Sequence, residues 1–203
     1  MTRIALSLAF IVLLVAPSLA QAPPASSPTR VRGTVEKLDG QNLAVKTREG
    51  PVATIALAPN FTVNGIVKKD LADIKQGDYV GVASTKGTDG KLHALEVLIF
   101  PEAMRGTAEG QFPWDLQPES LMTNAAVAGV AAAPTGRTLK LAYKGGESEI
   151  VVGPDAPIVT FQPADASLLK PGATVFIVAQ KQPDGTLTAA RVTAEKDGVK
   201  PPM

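Results

Sequence analysis

One unit is written twice in this chain, and any fold must accommodate both copies. KQGDYVGVASTKGTDGKLHALEV (75–97) aligns without a gap on KPGATVFIVAQKQPDGTLTAARV (170–192), with identical residues in nine of 23 columns. Upstream, VRGTVEKLDGQNLAVK (31–46) aligns on VAGVAAAPTGRTLKLA (127–142) at Val31, Gly33, Gly40 and Leu43. A one-residue deletion between the blocks changes the offset from 96 to 95. A repeat of this kind reports duplicated structural units and takes precedence over local patterning.

Each copy reads as short strands. Val31, Gly33 and Val35 alternate with Arg32, Thr34 and Glu36, the period of a half-buried strand. Asp39-Gly40 favours a tight hairpin turn into NLAVKT. VATIALA (52–58) gives a third strand, expected to end at Pro59-Asn60, and LADIKQGD suggests one helical turn closed by Gly77. YVGVAST and LHALEVLIF form a second hairpin across Thr88-Asp89-Gly90, and Asp184-Gly185 occupies the same place in the second copy. Five or so short strands and one helical turn predict an all-β protein of two tandem small OB-like β-barrels joined by an irregular ordered linker. A two-sheet sandwich shared by both copies is the structural alternative. The expected organisation is a signal peptide (1–20), a flexible tether (21–30), a first barrel (31–100), a linker (101–124), a second barrel (125–197) and a tail (198–203).

The ends set the compartment. Arg3, the apolar run 4–16 and Ser18-Leu19-Ala20 form the three regions of a cleavable export signal, with an uncleaved anchor as the alternative. The expected location is the periplasm. Without Arg3 the chain carries 19 basic and 19 acidic residues, which disfavours nucleic acid and anionic membrane surfaces as partners. No later apolar stretch reaches membrane-spanning length. Cysteine is absent, which removes disulfides, thiolate metal sites and a cysteine nucleophile together.

Catalytic signals are sparse. His93 is the only histidine; Leu95, Val97 and Ile99 share its strand face by alternation, Glu96 lies on the other, and Thr188 is its counterpart in the second copy. It is read as a partly exposed strand residue, with a metal or proton-transfer role as the alternative. No GxSxG elbow accompanies it, TKGTDGK (85–91) lacks phosphate-loop spacing, and no EF-hand pattern occurs. The expectation is a non-enzymatic protein without catalytic residues, cofactor or metal.

The segment FPEAMRGTAEGQFPWDLQPESLMTNA (100–125) belongs to neither copy and holds the only tryptophan. A connection this long is usually functional or disordered, and its Met104, Phe112, Trp114 and Leu116 argue against disorder. Two readings stand: a strap packed over barrel ends, or a partner or ligand surface in which Phe112 and Trp114 are rimmed by Arg105, Glu109 and Asp115. The partner is an unidentified periplasmic protein or small ligand, and the oligomeric state is open. Glu102, Glu109 and Asp115 also offer an alternative divalent-cation accessory role, and paired carboxylates a more remote hydrolase role.

The stretches HALEVLIFPEAMRGTAEGQFPWDLQPESLMTNA, SLLKPGATVFIVA and KDGVKPP resemble a group of secreted proteobacterial proteins with tandem small β-barrels, classed as a domain of unknown function. The resemblance spans the mature chain and implies a periplasmic two-barrel protein with no established activity. Relatives with histidine where this chain has Leu98 and Gln111 imply that a histidine-based metal site is lacking here. A permease role attached to some relatives conflicts with the absence of multiple apolar spans. Intact-mass analysis of the exported protein is expected to give a chain beginning at Gln21; retention of residues 1–20 would instead indicate an anchor.

Overall fold

A computed structural model describes residues 28–201; the predicted signal peptide and the tether up to residue 27 lie outside the described residues. The described chain is all-β. Its strands are β1 (Thr29–Asp39), β2 (Asn42–Thr47), β3 (Val52–Lys69), β4 (Tyr79–Lys86), β5 (Leu92–Ile99), β6 (Gly110–Pro113), β7 (Leu121–Ala132), β8 (Arg137–Tyr143), β9 (Gly146–Val152), β10 (Ile158–Ala164), β11 (Thr174–Lys181) and β12 (Leu187–Ala194). Short 3₁₀ turns at Leu71–Asp73 and Ala166–Leu168 stand where the sequence places one helical turn in each copy. Among the described residues no helix is long and apolar enough to cross a membrane.

The turn residues act as their chemistry requires. Gly40 adopts φ +58° between β1 and β2, a conformation that a Cβ disfavours. Gly33 answers a different need: a Cβ there would lie 2.0 Å from the Lys46 carbonyl oxygen, so β1 and β2 can approach only with glycine at this position.

β1, β2, β3, β12 and β11 close into a five-stranded barrel. β1 pairs with β2, β2 with β3, β3 with β12 in parallel, β12 with β11, and β11 with β1. Three of these strands come from the first copy and two from the second. The expectation that residues 31–100 close their own barrel is therefore not met by this ring, because its fourth and fifth strands lie in 174–194. The same exchange runs the other way. β4 and β5 of the first copy pair with β7 and β9, and β8 joins β7 to β9; the β5–β9 contact consists of Leu92↔Ile150 and His93↔Val151.

Both apolar cores are consequently mixed. One gathers Val31, Val35, Leu43 and Ile55 with Val175, Ile177 and Val192; the other gathers Val80, Val82 and Val97 with Val127, Leu139, Leu141 and Ile150. Between them, β3 and β10 pair antiparallel around Ile66↔Phe161, equivalent positions of the two copies. That pairing relates the halves by an approximate two-fold.

β3 does not stop at Pro59, as the sequence suggests. Its ladder with β12 passes from Leu57↔Ala189 to Thr62↔Arg191, so residues 58–61 have no partner in that ladder. Proline's missing N–H therefore costs no bond there. The linker is also more regular than expected, with a 3₁₀ turn at Glu102–Met104 and β6 pairing with the start of β7.

Burying a valine or isoleucine side chain contributes about 1.5–3 kcal/mol. Losing Val175, Ile177 and Val192 together thus removes roughly 5–9 kcal/mol, comparable with the whole stability of a typical domain. A chain ending at residue 100 is expected to show no cooperative melt by circular dichroism, and to recover one when mixed with residues 101–203. Cooperative unfolding of the first half alone would contradict the exchanged pairing.

Candidate functional site

A cavity of about 960 Å³ opens between the two cores. Its walls are the outward faces of strands whose inward faces build those cores. On β11, Val175, Ile177 and Ala179 point inward and are buried, whereas Phe176, Val178 and Gln180 line the cavity. On β5, the ladder steps from Glu96↔Ala83 to Ala94↔Ser84, leaving Leu95 as an extra residue. This bulge overturns the simple alternation expected from His93 to Ile99. Ala94, Val97 and Ile99 pack on the core, and Glu96, Leu98 and Phe100 line the cavity. β12 carries the equivalent irregularity between Ala189 and Arg191, which places Thr188, Arg191 and Thr193 on the cavity side.

The linker forms part of this lining through Met104, Thr107, Ala108, Phe112 and Trp114. Trp114 meets Phe112 and Phe176 edge-on, each at 6.2 Å between ring centroids. The Arg30 guanidinium sits 4.1 Å over its ring and that of Arg32 at 5.3 Å. Its backbone N–H donates to the Ser120 carbonyl at 2.7 Å, and the Ser120 hydroxyl donates to its carbonyl at 3.0 Å, which fixes the loop carrying the ring. The indole Nε1 is buried without a hydrogen-bond partner among the described residues.

Asp115 anchors the linker to the barrel. Arg32, only 3% exposed, donates from Nη1 and Nη2 to both Asp115 oxygens, at 2.9 and 2.7 Å. Partial burial works to raise the Asp115 carboxyl, but the Arg32 hydrogen bonds and the charges of Arg32 and Arg30 outweigh it, leaving the carboxyl below its ordinary range. An Arg–carboxylate fork of this geometry is directional and strong.

The other residues singled out from the sequence lie elsewhere. Arg105 binds Glu102 through a fork at 2.6 and 2.7 Å and donates to the Gly77 carbonyl at 2.8 Å. Glu109 accepts the Lys144 backbone N–H at 2.8 Å. Neither lines the cavity. Glu102, Glu109 and Asp115 are thus engaged with three different partners, and among the described residues no group of three His, Asp or Glu side chains could hold a metal ion. Gln111 donates to Thr123 and Ser148. His93 contacts Asp89 at 3.0 Å on the exposed hairpin, where the Lys91 backbone N–H and then the imidazole hold Asp89 below its usual range.

Glu96 is the residue whose importance the sequence conceals. It is 8% exposed, it is the only carboxylate lining the cavity, and no hydrogen bond or ion pair reaches its side chain among the described residues. Burial pushes its carboxyl up to about 7, against the opposing charge of Arg32. Its only sequence signal is its position on the opposite strand face from Val97, which does not report its burial in the assembled fold.

No family model, curated protein or solved structure matches this chain.

A carboxyl raised from its usual range near 4.5 to about 7 binds its proton more tightly in the folded state. Its contribution to stability is greatest below pH 4.5 and falls as pH rises toward 7 and above. The Glu96→Gln variant is therefore expected to melt higher than wild type at pH 8, by a difference of roughly 3 kcal/mol at most, and to match it at pH 4. Equal melting at both pH values would show that Glu96 ionises freely.

Proposed function

We propose that this chain is an exported, non-enzymatic binding protein whose ligand is a small apolar molecule held between two OB-like barrels. Each barrel would combine three strands of one copy with two of the other, in the order 1-2-3-5-4. The periplasm is the compartment that fits the export signal read at residues 1–20.

The observation that carries this reading is the cavity itself. Its size lies within the range of small-molecule sites, and its walls are mainly apolar and aromatic, with few polar groups. Phe112, Trp114 and Phe176 supply flat apolar area at low entropic cost. Trp114 and Asp115 also strap the linker to the barrel, so packing and ligand surface are two roles of one segment. Glu96 has no second carboxylate beside it in the cavity, so two-carboxylate hydrolysis finds no support in these residues.

Val178 is 47% exposed on the cavity wall, outside either core, and allows a direct test. The neutral apolar dye N-phenyl-1-naphthylamine is expected to bind saturably at one site, with energy transfer from Trp114. Val178→Trp should narrow the cavity at that wall and weaken binding while leaving the fold content seen by circular dichroism unchanged. Unaltered dye binding by that variant would overturn the proposal.

A further inference from the structure

The cavity walls are not electrically uniform, and the difference identifies one end of the ligand. Among the described residues, Arg30, Arg191 and Glu96 are the charged residues that line it. Arg30 is already committed, stacked 4.1 Å over Trp114 and 3.8 Å from Asp115. Arg32, behind it on β1, is forked to Asp115. Arg191 is exposed on β12 and stays solvated at the rim. Of these charged residues, Glu96 is the one that is buried with no hydrogen bond or ion pair to its side chain among the described residues, its nearest compensation being the charge of Arg32.

These positions differ in what a ligand gains from them. An exposed guanidinium loses little by remaining in water, so pairing it with an anion adds little. A buried carboxyl without a partner is costly, and a donor supplied to it recovers that cost. Arg191 is the counterpart of Glu96 in the repeat, so equivalent positions of the two copies bring opposite charges to the cavity lining. An elongated apolar ligand is thereby offered a distinct acceptor end.

Building on the apolar-ligand reading above, we propose that the cleft selects a lipophilic primary amine, its alkyl body against Phe112, Trp114 and Phe176 and its ammonium group donating to Glu96. Ammonium and carboxylate together replace an unmet buried acid with a charge-assisted hydrogen bond. The groups facing that pair are Arg32 from β1, which favours an ionised Glu96, and Arg30 and Arg191, which oppose a cationic guest. Their weight against it is reduced by Asp115 in one case and by solvent in the other.

Dodecylamine, dodecanol and dodecanoate share a chain length and differ at the head, and the emission of Trp114 reports occupancy directly. Titrations of the mature chain at pH 7.5, below the onset of micelles, should give binding by all three, with the amine about tenfold tighter than the alcohol. Glu96→Gln, which keeps the side chain's shape, should reduce that preference to near unity while dodecanol binds as before. Lowering the pH to 5.5 should weaken the amine's advantage in wild type but not in the variant. Dodecanoate binding tightest, or an amine preference that survives Glu96→Gln, would overturn the amine assignment while leaving the apolar-ligand reading intact. Binding of none of the three would overturn both. Binding that emerges only when residues 21–27 are deleted would identify the chain's own N-terminal tether as the occupant and overturn the proposal.

Discussion

The inward faces of β1, β2 and β3 close against β11 and β12, and almost everything else follows from that closure. A five-stranded ring needs every strand to find two neighbours, and the two missing strands lie more than a hundred residues further along the chain. Bringing them back forces β4 and β5 outward to the other half, where they meet β7 and β9. β3 and β10 then pair at the join, around Ile66 and Phe161. The two cores become interdependent, and the space between them is bounded mainly by the outward faces of the strands, with Leu57 and Ala189 shared between core and lining.

Those faces would be solvent-exposed in an isolated unit. Here the second copy covers them, and Glu96 shows the consequence most clearly. Buried in the assembled fold, its carboxyl loses hydration and rises to about 7. The linker completes the enclosure by laying Trp114 against Phe176, with Phe112 edge-on to Trp114. Its position is secured by the fork between Asp115 and Arg32, residues that sit in different parts of the sequence and are joined only by the fold.

Much of the local structure was legible in the sequence because it depends on neighbours along the chain. Asp39-Gly40, Thr88-Asp89-Gly90 and Asp184-Gly185 mark hairpins by their turn chemistry, and the alternation after Val31 marks a half-buried strand. Strand partnership was not legible, for a physical reason. Duplicated strands present similar patterns, so β1 could satisfy its apolar face with residues 79–84 or with 174–179, and no local signal separates the two. The linker was identifiable as a candidate surface because it lies outside the repeat, and Phe112 and Trp114 do line the cavity. Arg105 and Glu109 resembled a polar rim by proximity in sequence, but the backbone directs them to Glu102, Gly77 and Lys144. Leu95 shows the same limit on a smaller scale, since one bulged residue redirects everything before it on β5.

The exchange of strands between the copies is the claim on which cleft, linker and ligand site all rest. Nuclear Overhauser contacts across β1 test it most directly. The pairing described here predicts contacts from Gly33 and Arg32 to Val175 and Phe176. Contacts from Gly33 to Val80, the equivalent position in its own copy, would show that each repeat closes on itself and would contradict the account.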